Sequence, residues 1–172
     1  MNAKVILMNI FRWLLLLFLQ IFLLRNMSFY NFPSPFLYTL FLLLLPFRIS
    51  NFLLYILAFG TGIILDSFYD TLGVHTSACV VLAFVRILFI NISLSRESLD
   101  GPSPTLGNMG FKWFSLYTLI CIFAHHLILF FLEAFKLSSL GYTLGRAIMS
   151  LIFTVFLIFL TEFTFQSKKT TA

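Results

Sequence analysis

The chain has 172 residues, 60% of them hydrophobic and only 10% charged, with a formal net charge of +5 and a mean hydropathy of +1.03. Soluble domains are about 25% charged, so this composition excludes a water-soluble globular fold and leaves no room for a separate soluble domain. Residues 1–172 read as a single integral membrane domain of all-α class.

Six apolar segments follow in chain order: Val5–Leu24, Ser34–Phe47, Asn51–Phe68, Thr76–Ile92, Phe111–Phe135 and Tyr142–Phe165. Each is read as a transmembrane helix, since about 20 apolar residues cross a bilayer. The first begins like a signal peptide, with Lys4 and Arg12 ahead of an apolar run. It ends in Leu24-Arg25-Asn26-Met27 without a small-x-small cleavage site, and is expected to stay as an anchor. The second is short and bounded by Pro33, Pro35 and Pro46, so it is either a tilted or shallow span or the partner of the third in a tight hairpin. The stretch Ser93–Gly110 is rich in Gly, Pro and Ser and reads as a cytoplasmic loop, serving either as a partner contact or as a linker. The 24 phenylalanines need no binding role, because Phe is favourable in a bilayer-spanning helix.

Orientation follows from the Lys/Arg bias. With the N-terminus inside, the inner side holds Lys4, Arg12, Arg48, Arg86, Arg96, Lys112, Lys168 and Lys169, and the outer side holds Arg25, Lys136 and Arg146. Both termini are then cytoplasmic, and Asp66, Asp70 and His75 lie toward the outer face.

Ionisable residues within spans are costly and mark sites or packing devices. Asp66 and Asp70 are four apart, on one helix face if the third helix continues that far. Gly60 and Gly62 permit close helix approach, and Gly73 is placed to end the helix. Three roles stay open for the two acids: a polar cap satisfied by backbone amides of the Leu72–Thr76 turn, a proton- or cation-coupled site, and a packing or partner-docking role. Gly141 and Gly145 form a GxxxG pattern directly before Arg146, and Arg146 is expected to pair with Asp66 at similar depth. Arg86 reads as a residue that snorkels to the inner headgroups, with an internal partner as the alternative. His125 and His126 point about 100° apart on a helix and read as hydrogen-bonded packing residues rather than a ligand pair. Cys79 and Cys121 lack CxxC spacing and read as small buried hydrophobes. The Asn26-Met-Ser and Asn91-Ile-Ser sequons are short enough to arise by chance. The sequence carries no Walker loop, GxGxxG or HExxH.

The segment Gly62-Ile-Ile-Leu-Asp66, followed by Leu72-Gly73-Val74-His75 and then Ala83-Phe84-Val85-Arg86, resembles the rod shape-determining protein MreD family. That family shows a G-x-x-x-D … L-G-x-x signature at the end of its third span. The matching stretch covers about 30 residues; the Phe-rich composition and the Ser93–Gly110 loop have no counterpart in the family pattern. The resemblance implies a non-enzymatic component of the bacterial cell-elongation machinery in the inner (cytoplasmic) membrane, serving peptidoglycan synthesis and cell shape. It implies a bitopic periplasmic scaffold of MreC type as direct partner, and actin-like MreB and the elongation-specific wall synthases as indirect ones. Membrane lipid and a second copy of the chain are further expected partners, with no nucleic acid and no cofactor. The family fold is similar to the six-helix substrate-binding subunits of energy-coupling-factor transporters. The alternative function is therefore a small-solute-binding subunit that docks on an ATPase module. The residues expected to matter are Gly62, Asp66, Asp70, Gly73, His75, Arg86, Gly141, Gly145 and Arg146.

Overall fold

The computed structural model describes residues 3–28, 34–95, 103–134 and 140–165, and these are all-helical with no strand among them. The elements are α1 (Ala3–Phe18), which runs through a π-helical stretch Leu19–Leu24 into α2 (Arg25–Ser28), then α3 (Thr39–Leu43), α4 (Asn51–Tyr69), α5 (Val74–Ser93), α6 (Leu106–Met109), α7 (Phe111–Ala134) and α8 (Leu140–Phe165). Five stretches are long and apolar enough to cross a membrane: Ala3–Leu24, Asn51–Tyr69, Val74–Ser93, Phe111–Ala134 and Leu144–Phe165.

The expected second span is not a sixth helix of this kind. Ser34–Phe47 contains only the short α3, because proline ends helices on both sides of it. Pro35 has no N–H to give, and Pro46 biases Leu45 away from helical geometry. Every residue from 34 to 46 is buried, so this segment is the centre of the molecule rather than a lipid-facing span.

Contacts along the segment give its direction. Its start is level with His75 and His125, and its end with Arg86 and Tyr117: the Phe36 ring lies 5.9 Å from His75 and 6.0 Å from His125, while Tyr117 and Arg86 bond the carbonyls of Leu43 and Leu45. That descent spans eleven residues of α5, about 16 Å at helical rise.

The long helices alternate around it. Trp13 Nε1 donates to Thr61 Oγ1 at 3.0 Å and Gln20 Nε2 to the Tyr69 hydroxyl at 2.9 Å, so α1 runs parallel to α4. The α4–α5 turn reverses the chain. Trp113 Nε1 reaches Ser93 Oγ at 3.2 Å, and Phe159 packs on Phe111 and Phe114, which sets α7 against α5 and α8 against α7. Asn51, Ser93, Phe111 and Phe165 therefore share one end, and Tyr69, Val74, Ala134 and Leu140 the other.

In the loop expected over Ser93–Gly110, residues 96–102 lie outside the described ones. The rest folds back: Thr105 caps α6, and the buried Leu106 amide donates to Glu162 Oε2 of α8 at 2.8 Å.

Irregular backbone at membrane depth is tolerated only where protein buries it and satisfies its polar groups. Here the surrounding helices supply those groups. Gln20 Nε2 donates to the Pro35 carbonyl at 3.1 Å, and Thr154 Oγ1 accepts the Phe36 amide at 3.0 Å. The Tyr117 hydroxyl donates to the Leu43 carbonyl at 2.9 Å. Arg86 Nη2 donates to the carbonyls of Leu45 at 2.6 Å and Pro46 at 3.4 Å. Arg86 is 2% exposed, so it does not snorkel. It turns inward, a cation at the carbonyl end of α3, where the helix dipole favours positive charge.

Tyr117→Phe is expected to leave the Leu43 carbonyl buried and unpaired, lowering stability by about 1–3 kcal/mol. Thermal unfolding in detergent checks this, and an unchanged midpoint would remove Tyr117 from the set of supports.

Candidate functional site

The polar residues singled out from the sequence converge at the α4–α5 turn, though not in the arrangement expected. α4 ends at Tyr69 because Asp70 takes the left-handed conformation, at φ 55° and ψ 40°. Asp70, not Gly73, is thus the residue that stops the helix. Gly73 instead stands at the start of α5 with φ +81°, a backbone conformation that favours glycine.

Glycine has no side chain to cap the helix it opens, and Asp66 of the preceding helix does so instead. Asp66 Oδ1 accepts the His75 amide at 2.9 Å, and Oδ2 accepts the Thr76 amide at 3.0 Å and the Thr76 hydroxyl at 2.6 Å. The Thr71 hydroxyl donates to Oδ1 at 2.5 Å, and His75 Nδ1 lies 3.2 Å from the same oxygen. A carboxylate at a helix N-terminus is favoured by the free amides and by the dipole together. Of the three open roles, this geometry is that of the polar cap.

Gly62 completes the device. It lies one turn before Asp66 on the same face, and a Cβ there would collide with the Thr76 backbone. The G-x-x-x-D spacing therefore has a physical reading. Gly62 lets the first turn of α5 approach, and Asp66 holds the amides brought within reach. Gly60 has open space around it and plays no such part.

The other expected residues separate. Asp70 points outward, with 89% of its side chain exposed, and meets Arg25 at 3.6 Å; it does not join Asp66 in a two-acid site. Arg146 does not pair with Asp66. Its guanidinium faces Glu133 Oε1 at 3.9 Å and lies over the Phe130 ring at 5.8 Å. Gly141 and Gly145 have no described neighbour that a Cβ would meet, so the GxxxG pattern packs against none of the described residues.

His125 and His126 are buried and hydrogen-bonded. His125 Nε2 is 2.8 Å from the Tyr38 hydroxyl. His126 Nδ1 lies 3.0 Å from the Ile122 carbonyl, which only accepts, so Nδ1 carries the proton. Nε2 then accepts from Thr154 Oγ1 at 3.2 Å. Thr154 is thereby oriented to receive the Phe36 amide. The two Nδ1 atoms are 3.4 Å apart, closer than helical divergence suggests. Among the described residues, no group of three His, Cys, Asp or Glu side chains is placed to hold a metal ion.

Beside the turn, the Asp70 end of the bundle holds a cavity of about 210 Å³, lined by residues including Arg25, Ser34, Phe36, His75, Phe130 and Arg146. Ser34 and His75 are 5% and 3% exposed. Ser34 Oγ and His75 Nε2 have no hydrogen-bond partner among the described residues. The sequence reading missed Ser34, Gln20, Tyr117 and Thr154. The available signal was the proline spacing of the second segment, which implies orphaned backbone groups and hence polar partners elsewhere in apolar runs.

Fold and site together define a multi-span helical membrane protein whose interior polar side chains serve a broken central segment and a carboxylate-capped hairpin. No protein-family model matches the chain, and no curated protein or solved structure matches it either.

Asp66→Asn is expected to place amide hydrogens against one of the two amides now accepted, that of His75 or that of Thr76, and destabilise the fold by about 1–3 kcal/mol. Asp70→Asn, at an exposed position where Asn also tolerates the left-handed conformation, should leave the midpoint unchanged. Parallel thermal melts separate the two; equal effects would contradict the assignment. Gly62→Ala should be costly by at least ~1–3 kcal/mol, while Gly60→Ala is neutral by the same measure.

Proposed function

We propose that this chain is a non-enzymatic component of the bacterial cell-elongation complex, resident in the inner membrane, which positions a partner's transmembrane helix for peptidoglycan synthesis and cell-shape control. The observation that carries this reading is the interlocking of Gly62, Asp66, Gly73 and His75 into one hairpin. These residues carry the resemblance to the MreD family, and each has a definite structural task in the hairpin. Arg86, the last residue of the resembling stretch, has one in holding the central segment. A motif of this kind maintains a rigid shape.

In this reading the buried central segment acts as a sixth crossing, irregular because protein surrounds it. Both termini are then cytoplasmic, which agrees with the Lys/Arg bias. The reading carries with it the family's likeness to the six-helix substrate-binding components of energy-coupling-factor transporters; five of its crossings correspond to the five long apolar helices. The direct partner is a bitopic periplasmic scaffold of MreC type, with MreB and the wall synthases reached through it.

Co-purification of the tagged protein from its native membrane in mild detergent, with mass spectrometry of what accompanies it, tests this directly. A single-span periplasmic scaffold with wall-synthesis enzymes is the expected recovery. ATPase subunits with a coupling membrane protein would assign the chain instead to solute uptake. In cells, Asp66→Ala is expected to give rounding or loss of the partner. Unchanged shape at unchanged protein level would show that the hairpin is not where function resides.

A further inference from the structure

The cavity at the Asp70 end has features that fold maintenance does not require. Buried polar groups in a bilayer protein are normally paired, because an unpaired one costs free energy. Among the described residues six buried side-chain atoms have no hydrogen-bond partner, and two of them, Ser34 Oγ and His75 Nε2, belong to residues that line the cavity. His75 is held by its other nitrogen, Nδ1, which lies 3.2 Å from Asp66 Oδ1 and 3.1 Å from Thr71 Oγ1. Its ring is packed against Tyr69 with centroids 4.7 Å apart. The imidazole is therefore fixed in place while one of its polar atoms has no described partner.

Two guanidinium groups flank the same space. Arg25 and Arg146 come from opposite ends of the sequence, and their carboxylate partners Asp70 and Glu133 lie at 3.6 and 3.9 Å, beyond good hydrogen-bond distance. Partly exposed pairs of this kind are weak, and both arginines also lie over aromatic rings, Tyr69 and Phe130, at 5.5 and 5.8 Å. The Arg25 guanidinium is thus held at the cavity by packing, beside an exposed carboxylate that another anion can replace, and Arg146 lines the same cavity together with Glu133. Arginine binds phosphate oxygens through forked, charge-assisted hydrogen bonds. Two such groups together with a serine hydroxyl match a ligand group with three or four acceptor oxygens better than a carboxylate with two. The volume of about 210 Å³ fits one such group with a short apolar attachment beside Phe36 and Phe130.

We infer that this cavity binds a phosphate group between Arg25 and Arg146, with Ser34 and His75 as its polar floor. The phosphate comes either from the headgroup of a membrane lipid or from a free phosphorylated solute. This goes beyond the scaffold reading and does not depend on it, since it concerns binding by the purified chain alone.

The test uses the full chain, delipidated in a neutral detergent, with thermal unfolding followed against increasing inorganic phosphate or short-chain phosphatidic acid at constant ionic strength. Chloride and a neutral diacylglycerol serve as blanks. Wild type is expected to be stabilised by at least one phosphate probe and by neither blank. Stabilisation by phosphatidic acid alone identifies a lipid headgroup as the source, and stabilisation by both probes a free phosphate as well. Arg25→Gln and Ser34→Ala should each weaken binding, with an apparent Kd raised about tenfold for the arginine, while Arg48→Gln at the far end leaves it unchanged. Arg25→Gln changes a partly exposed side chain; if its unliganded midpoint falls nonetheless, Ser34→Ala alone carries the comparison. No stabilisation of wild type by either probe, or equal stabilisation of wild type and Ser34→Ala together with Arg25→Gln, overturns the inference.

Discussion

The structure depends on satisfying the backbone of a broken segment where water cannot. Residues 34–46 are buried throughout, yet only Thr39–Leu43 are helical, so several amides and carbonyls have no partner within their own segment. In hydrocarbon each such group would cost several kcal/mol. The surrounding helices answer one by one: Gln20 from the π-helical stretch, Arg86 from α5, Tyr117 from α7 and Thr154 from α8. These four polar side chains lie deep in the bundle where the backbone of the segment needs them. His126 belongs to the same scheme at one remove, because it sets the direction of the Thr154 hydroxyl.

A second use of the same physics joins α4 to α5. A turn opened by glycine supplies no capping side chain, and the preceding helix provides one in Asp66. The carboxylate collects two amides and two hydroxyls, and so keeps the imidazole of His75 in a single orientation. The hairpin and the central segment meet at Phe36, whose ring contacts His75, His125 and His126. The cavity opens where these two devices adjoin. Its lining draws on both of them, with Phe36 from the central segment and His75 from the hairpin.

Much of this was legible in the residues. Five long apolar runs appear as five long helices, since length and hydropathy are local properties that tertiary packing does not overturn in lipid. The capping of the Leu72–Thr76 turn by an acid was one of the three roles the sequence left open, because an acid near the end of one helix lies close to the free amides that begin the next. Partner choice was less accessible. Arg86 looked like a snorkelling cation because its distance from the inner headgroups is a local feature. The carbonyls it meets belong to residues 41 and 40 positions earlier in the chain. Arg146 was paired with Asp66 on opposite charge and similar depth beside the GxxxG pattern, but Asp66 is met by groups within ten residues of itself, and Glu133 lies opposite Arg146 across the α7–α8 pair. Asp70 was placed on the Asp66 face by assuming one more helical residue. A single left-handed φ turns it to the solvent side. The prolines of the second segment did announce a break; what they could not convey is that the break lies at the centre.

The central segment also constrains how the protein comes to be made. A helix of ordinary length carries its hydrogen bonds with it and is stable in the bilayer on its own. Residues 34–46 are not, because their partners are borrowed. The hydroxyl that receives the Phe36 amide lies 118 positions further along the chain, in α8. Until α8 is in place, the Phe36 amide lacks the partner it has in the fold. The central segment thus gains its full set of partners only once helices from both sides of it in the sequence have come together.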